Sequence, residues 1–150
     1  MTFGYMGEIG RNHTLWTSIL AWVIAQSIKV MLGVLREKRF NFRWFVGTGG
    51  MPSSHVAGSS ALATSIGISY GFDSAIFAIA CLFMLVVMFD AQGVRRSTGK
   101  QAIILNKMLD DIYWKKKLDE KELMEFLGHT PVEVFAGFFL GVVVSLLFYA

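Results

Sequence analysis

Residues 75–89 read AIFAIACLFMLVVMF, a run of apolar side chains without a single charge. A helix that crosses a bilayer needs about 20 mostly apolar residues. Lys, Arg, Asp and Glu are also missing from residues 12–28, 44–72 and 134–150. This spacing predicts about four transmembrane helices, at about Thr14–Leu35, His55–Tyr70, Ser74–Phe89 and Pro131–Tyr149.

The composition indicates the same class of protein. The chain has 150 residues, of which 54% are apolar and 17% are charged, whereas soluble domains carry about 25% charged residues. A soluble all-α domain would need polar outer faces on its helices, and the last two predicted spans have almost none. The one cysteine, Cys81, excludes a disulfide framework and a multi-cysteine metal site. We therefore predict one all-α domain over residues 1–150, an integral membrane helical bundle.

The second predicted span differs from the others because it is rich in small residues. Between its ends lie Ala57, Gly58, Ser59, Ser60, Ala61, Ala63, Ser65 and Gly67. Small side chains allow helix backbones to approach each other, and a lipid-facing helix would not need them. The pattern predicts a helix in the middle of the bundle, joined to the third span by a tight connection at residues 70–73.

Basic residues fall almost entirely on one side of the predicted membrane. Of the 14 Lys and Arg residues, all but Arg11 and Lys29 lie within residues 36–43 or 95–121. The positive-inside rule makes this side cytoplasmic, although basic residues that bind an anion would add to the same count. Apolar residues within the longer segment recur at helical spacing and predict an interfacial amphipathic helix, through Ala102, Leu105, Met108, Leu109, Ile112 and Tyr113.

Ionisable residues collect near this same membrane face. They are Lys29 and Arg36 at the end of the first span, His55, Asp90, His129 and Glu133. Ionisable groups at membrane depth are costly and are therefore functional candidates. Lys29 and Arg36 lie about two helical turns apart and project from one face. They could share an anion, or Lys29 could instead extend its ammonium group to the lipid headgroups.

Two interpretations are open for Glu133. The sequence Thr130-Pro131-Val132-Glu133 fits a helix start, with threonine as N-cap, proline in the first position and glutamate in the third, as in a capping box. Glu133 also follows His129 by four residues and could orient its imidazole. Both roles can hold together, but one carboxylate cannot serve both at full strength.

The loop before the second span is glycine-rich. It runs from Gly47 through Gly50 to Ser53 and Ser54. Glycines allow backbone amides to converge, and the start of a helix is itself a site for anions. The loop is a candidate anion site, and the simpler alternative is a flexible turn with a serine N-cap.

Taken in order, these motifs resemble those of the type-2 phosphatidic acid phosphatases, which are relatives of the vanadium haloperoxidases. Pro52-Ser53-Ser54-His55 resembles the family's P-S-x-H motif. Lys29 and Arg36 match the K-x6-R spacing of its first motif, and His129 to Glu133 is similar to its H-x-x-x-D motif. The predicted helical hairpin between the second and third motifs is also in place.

The stretch Phe89–Arg96 resembles the divergent branch of this family, which occurs in bacteria and plastids, and the whole resemblance covers about Lys29–Gly141. Three positions depart from the family pattern, namely Glu37 in place of a proline, Leu123 in place of an arginine and Glu133 in place of an aspartate. Arg95 or Arg96 is expected to replace the missing arginine. Asp90 could end the third span or pair with one of the same two side chains, and we expect the structural salt bridge.

By this resemblance the chain is a metal-independent lipid-phosphate phosphatase. His129 would attack phosphorus and form a phosphohistidine, Glu133 would hold the other ring nitrogen, and His55 would protonate the leaving alkoxide and then activate water. The phosphate would be surrounded by Lys29, Arg36, Arg95 or Arg96, Ser53, Ser54 and the amides near Gly50. The cytoplasmic orientation from the positive-inside rule favours a phosphatidate- or phosphatidylglycerophosphate-like substrate, with a polyprenyl pyrophosphate as the alternative. The expected location is the plasma membrane of a bacterium or a plastid-type membrane, with the active site on the cytoplasmic side.

Two other functions stay open. The altered motifs are compatible with a catalytically inactive module of the same fold that binds lipid or supports assembly. Asp90, Asp110 and Asp111 faintly resemble the acidic residues of metal-dependent lipid alcohol phosphotransferases, but their spacing does not suit the helical faces required. The lipid-facing surface of four short spans would suit a homodimer. We expect no cofactor and no nucleic-acid partner.

Overall fold

A computed structural model of the chain describes residues 2–38, 50–92, 101–106, 108–109 and 129–150. Within these ranges the main helices are α1 (Thr2–Gly10), α2 (His13–Glu37), α3 (Ser54–Tyr70), α4 (Ala75–Gln92) and α5 (Pro131–Tyr149). Residues 101–106 and 108–109 are also helical and belong to the predicted amphipathic segment. The rest of that segment lies outside the described residues, as do Arg95, Arg96, Asp110 and Asp111.

Three helices in the described part of the chain are long and apolar enough to cross a membrane, namely α2, α4 and α5. They match the first, third and fourth predicted spans to within one helical turn. The second predicted span is α3, whose 17 residues stand at the lower end of the usual range of about 17–25 for a transmembrane helix. The all-α membrane bundle is therefore confirmed, with three full-length spans and a shorter helix among them.

Helix α3 lies in the middle of the bundle, as its small residues predict. It packs against α2, α4 and α5, and its buried side chains are nearly all small, including Ala57, Ser60, Ala61 and Ser65. Helix α4, in contrast, buries little, since only Ala80 and Ala91 are fully covered. The exposed apolar side chains of α4 face outward, where lipid takes the place of a soluble protein's polar surface.

Two glycines of α5 allow its close approach to α3. A Cβ atom on Gly141 would collide with the carbonyl oxygen of Ala57 and the hydroxyl of Ser60, and one on Gly137 would collide with the carbonyl oxygen of Ser53. The two glycines stand four residues apart, the G-x-x-x-G spacing that is common where membrane helices pack backbone to backbone. This contact fixes how the start of α5 sits beside the start of α3.

Serine hydroxyls add hydrogen bonds along the same interface. Ser60 Oγ donates to the carbonyl oxygen of Phe138 at 3.1 Å, and Ser145 Oγ donates to that of Ala61 at 3.0 Å. Where α3 and α5 end, Ser69 Oγ donates to the Tyr149 hydroxyl at 3.0 Å. We call this end of the bundle the Tyr149 end. The opposite end, where α5 begins, is the His129 end.

Helix α1 is an element that no hydropathy feature of the sequence predicts. It joins α2 through Arg11 and Asn12, and the Asn12 side chain caps α2 by accepting a hydrogen bond from the Leu15 N–H at 3.0 Å. The Trp16 indole N–H donates to the carbonyl oxygen of Ile9 at 3.1 Å. The end of α1 is therefore fixed to the first turn of α2, at the Tyr149 end.

Candidate active site

The starts of α3 and α5 meet at the His129 end. The backbone N–H of Ser53, just before α3, donates to the carbonyl oxygen of Glu133 in the first turn of α5 at 3.0 Å. The backbone N–H of His129 donates to the carbonyl oxygen of Ala91 near the end of α4, also at 3.0 Å. These two bonds place the predicted second and third motifs together at one end of the bundle, although they are far apart in the sequence.

His129 and Glu133 form a direct pair. The Nδ1 atom of His129 lies 3.0 Å from Oε2 of Glu133, and the histidine is only 2% exposed. A carboxylate in this position accepts a hydrogen bond from a protonated Nδ1. In a neutral imidazole the lone pair is then on Nε2. The pair can therefore present Nε2 as a nucleophile and stabilise an imidazolium that forms during a reaction.

One oxygen atom of Glu133 serves both as helix cap and as partner of the His129 imidazole. Besides its contact with His129 Nδ1, Oε2 accepts a hydrogen bond from the backbone N–H of Thr130 at 3.0 Å. The Thr130 hydroxyl in turn accepts a hydrogen bond from the Glu133 backbone N–H at 3.4 Å, which completes the predicted capping box. The start of α5 and the orientation of the imidazole thus depend on the same carboxylate.

Ser53 occupies the N-cap position of α3 but does not act as a cap. It is fully buried, its side chain makes no capping hydrogen bond, and among the described residues its Oγ has no hydrogen-bond partner. Buried hydroxyls nearly always have partners because an unpaired one costs free energy. The simple N-cap interpretation therefore fails, and the hydroxyl is available to a ligand at the start of α3, where backbone N–H groups also lack intrahelical acceptors.

The other residues of the second motif differ in burial. Ser54 is 2% exposed, whereas His55 is exposed. The different exposures suit the roles that the resemblance implies, since a group that exchanges protons with water must reach it.

Lys29 lies inside the bundle beside the glycine loop. It is 9% exposed, and its Nζ donates to Oε1 of Gln26 at 3.1 Å. Burial and an internal partner do not fit a side chain that snorkels to the headgroups. They fit a side chain held inside the bundle, beside the loop that leads into α3.

Gly50 stands where both the backbone conformation and the space beside Lys29 favour glycine. Its φ angle is +84°, a backbone conformation that side-chain-bearing residues rarely adopt. A Cβ atom there would also lie 3.3 Å from Cγ of Lys29. The described end of the glycine loop is thus packed directly on the candidate phosphate-binding lysine.

The remaining predicted anion-binding residues are Arg36, Arg95 and Arg96. Arg36 is exposed in the last turn of α2, about 10 Å along the helix axis from Lys29. Arg95 and Arg96 fall outside the described residues, and so does any bond between them and Asp90. At the His129 end the described site residues are Lys29, Gly50, Ser53, Ser54, His55, His129 and Glu133, and Arg36 is exposed at the end of α2.

Sequence reasoning missed three residues that hold the site together. Gln26 binds Lys29 and stands three residues before it, a spacing that places two side chains on one helix face. Gly137 and Gly141 allow the close packing of α5 on α3. Their G-x-x-x-G spacing is visible in the sequence and predicts a closely packed helix interface. The contact partners of these glycines could not be read in the same way because they depend on the tertiary fold.

These features define an integral membrane helical bundle in which a buried histidine paired with a partly exposed glutamate, and a serine hydroxyl unpaired among the described residues, lie at one end. The sequence matches the model of the Divergent PAP2 family over residues 10–144, and the chain belongs to this family. It is also 37% identical over 150 residues to "Uncharacterized membrane protein YuiD" of Bacillus subtilis (strain 168), an alignment that covers 93% of this chain and 95% of that protein. No solved structure matches the chain. The family predicted from the motifs is confirmed.

Proposed function

We propose that this protein is a membrane phosphatase that hydrolyses a lipid phosphomonoester through a phosphohistidine intermediate. The observation that carries the proposal is the pairing of buried His129 with partly exposed Glu133 at the same end of the bundle as the unpaired hydroxyl of Ser53. Membership of the Divergent PAP2 family supports it. The substrate would be phosphatidate- or phosphatidylglycerophosphate-like, with its acyl chains in the bilayer and its phosphate at the His129 end.

The reaction takes place in two displacement steps. In the first, Nε2 of His129 bonds to phosphorus while the bond to the lipid oxygen breaks, and His55 gives its proton to the leaving alkoxide. The Glu133 carboxylate stabilises the positive charge that develops on the imidazole. In the second step, His55 takes a proton from water, the water oxygen attacks phosphorus, and the P–N bond breaks to release phosphate and regenerate His129.

In the proposed complex, charge on the phosphate oxygens is neutralised by a cation, a hydroxyl and backbone N–H groups. Lys29 supplies a buried cation, Ser53 supplies a hydroxyl, and the start of α3 supplies backbone N–H groups. Such preorganised donors stabilise a phosphoryl transition state without reorganisation during the reaction. We include Arg36 and one of Arg95 and Arg96 as further phosphate ligands, and we place the site on the cytoplasmic side because the basic residues flank this end.

The proposal is tested with the full chain purified in detergent. Phosphate release would be measured from phosphatidate, phosphatidylglycerophosphate and a soluble phosphomonoester, each with EDTA present and with and without vanadate. We expect release from at least one lipid, persistence in EDTA and inhibition by vanadate, a phosphate-like transition-state mimic. Strict dependence on Mg²⁺ would favour the phosphotransferase alternative, and no release from any lipid would favour a non-catalytic lipid-binding module.

Replacement of Ser53 by alanine separates binding of phosphate from stability of the fold. We expect kcat/KM to fall about 10- to 100-fold, because the variant loses one hydrogen bond to a charged group worth about 1.5–3 kcal/mol. The melting temperature should stay the same or rise, since the hydroxyl has no partner to lose among the described residues. Enzyme kinetics and thermal unfolding of the same preparation check both expectations.

Ser65 provides the matched control for this prediction. Its hydroxyl is buried and lies 3.2 Å from that of Ser145, away from the site. Ser65→Ala should lower the melting temperature and leave kcat/KM unchanged. A Ser53→Ala variant that behaves in the same way as Ser65→Ala would show that Ser53 is structural.

Replacement of His55 by asparagine should affect the two chemical steps differently. Hydrolysis of phosphatidate should fall about 10²- to 10⁴-fold, because its alkoxide leaving group needs a proton. With p-nitrophenyl phosphate the leaving group needs none, so the variant should release a burst of about one nitrophenol per protein and then stall as phosphoenzyme. Stopped-flow absorbance measures the burst. Wild-type turnover of phosphatidate by His55→Asn would remove His55 from the mechanism.

A further inference from the structure

Helix α1 carries an apolar surface that no described part of the protein covers. Tyr5, Met6 and Ile9 are 67%, 73% and 49% exposed. At about 100° per residue these three side chains fall on one side of the helix. Gly4, Gly7 and Glu8 fall on the other side, so the one charged residue of α1 lies away from these three apolar side chains.

The position of α1 is fixed relative to a transmembrane helix. The indole N–H of Trp16 donates to the carbonyl oxygen of Ile9, and the backbone N–H of Asn12 donates to the same oxygen at 3.1 Å. Because Asn12 caps α2, the last turn of α1 is joined directly to the point where α2 begins. Helix α1 therefore lies at the level at which α2 enters the membrane, at the Tyr149 end.

The exposed apolar residues continue from α1 into α2. Leu15, Trp16, Ile19 and Leu20 are between 38% and 46% exposed on the first turns of α2, a helix long and apolar enough to cross a membrane. Tryptophan and tyrosine are enriched at the boundary between acyl chains and headgroups. Lipid is thus the partner that the surface fits.

We propose that α1 is an interfacial membrane anchor. It lies in the headgroup region of the leaflet at the Tyr149 end, with Tyr5, Met6 and Ile9 toward the acyl chains and Glu8 toward water. Helix α1 ends at Gly10, so nearly all of it precedes the residues matched by the family model. The inference does not depend on phosphatase activity.

The experiment uses single cysteines, since the chain has only Cys81. In a Cys81→Ser background, Met6→Cys, Ile9→Cys and Glu8→Cys variants would be labelled with bimane and reconstituted into phosphatidylcholine–phosphatidylglycerol vesicles. Leu82→Cys, on the exposed surface of α4, provides the control for a deep position. Quenching would be measured with lipids that carry a nitroxide at acyl carbon 5 or 14, and with iodide in the aqueous phase.

We expect the shallow nitroxide to quench the labels at residues 6 and 9 at least about twofold more than the label at residue 8, and iodide to show the reverse order. The Leu82 label should respond most to the deep nitroxide. Equal and strong iodide quenching at residues 6, 8 and 9 would overturn the proposal by placing α1 in water. Protection of residues 6 and 9 from both lipid and iodide would also overturn it, because a protein surface would then cover them.

Discussion

Replacement of His129 by asparagine is expected to lower phosphate release by at least about 10³-fold, because the amide cannot form the P–N bond of the intermediate. Initial rates with phosphatidate in detergent micelles and EDTA measure this loss. Acid-labile, base-stable labelling from a ³²P-labelled substrate would report the phosphohistidine directly, and it should be absent in the variant. The side chain is 2% exposed and contacts Glu133, so the folded state must be verified by size-exclusion chromatography.

Two matched variants make this result interpretable. Glu133→Gln keeps an oxygen acceptor for the capping box but removes the charge beside the imidazole, and it should reduce kcat by about 10²- to 10⁴-fold. His13→Asn alters a histidine at the Tyr149 end, where its ring packs against Phe148 with centroids 6.0 Å apart, and it should leave activity unchanged. Equal activity of the His129→Asn and His13→Asn variants would refute the nucleophilic role.

Replacement of Gly141 by valine is expected to have the largest effect on folding. Its Cβ would meet the carbonyl oxygen of Ala57 and the Ser60 hydroxyl, and it would lie 2.9 Å from the Ala61 backbone nitrogen. Backbone atoms cannot move aside as a flexible side chain can, so α5 must shift away from α3. Overpacking usually costs about 1–3 kcal/mol, occasionally more, and we expect a cost at or above the upper end. The melting temperature in detergent, followed by intrinsic tryptophan fluorescence, measures this cost.

Gly58 supplies the control for this substitution. A Cβ atom there would lie 3.6 Å from the nearest atoms, the Ser18 carbonyl oxygen and Trp22 Cβ, which is ordinary van der Waals contact. Gly58→Ala should therefore be neutral or slightly stabilising, since alanine favours helix over glycine by about 1 kcal/mol. If Gly141→Val and Gly58→Ala melted at the same temperature, the close α3–α5 contact described above would be incorrect.

Hydropathy was sufficient to predict the fold because a helix that faces lipid must consist mostly of apolar residues. Long apolar runs predicted α2, α4 and α5, and the small residues of α3 predicted its central position. Helix α1 escaped prediction because its 9 residues are too few to give a hydropathy signal. The amphipathic segment after α4 is only partly described, so that its predicted position on the membrane surface stays a prediction.

The site could be predicted only where its chemistry is local in sequence. The capping box and the spacing of His129 and Glu133 depend on one helix turn, and the structure contains both. The burial of Lys29 and the unpaired hydroxyl of Ser53 depend on which helices surround them. For this reason the sequence could not separate Lys29, inside the bundle, from Arg36, which is exposed on the same helix.

The shared oxygen of Glu133 has a consequence for how this position can change during evolution. Because Oε2 binds both the Thr130 amide and the His129 ring, a residue with a shorter side chain cannot keep both partners without a shift of the backbone. A relative with aspartate in this place must therefore begin its last helix differently or hold its imidazole from a different direction. A change in the start of α5 is therefore coupled to a change in the orientation of the His129 ring.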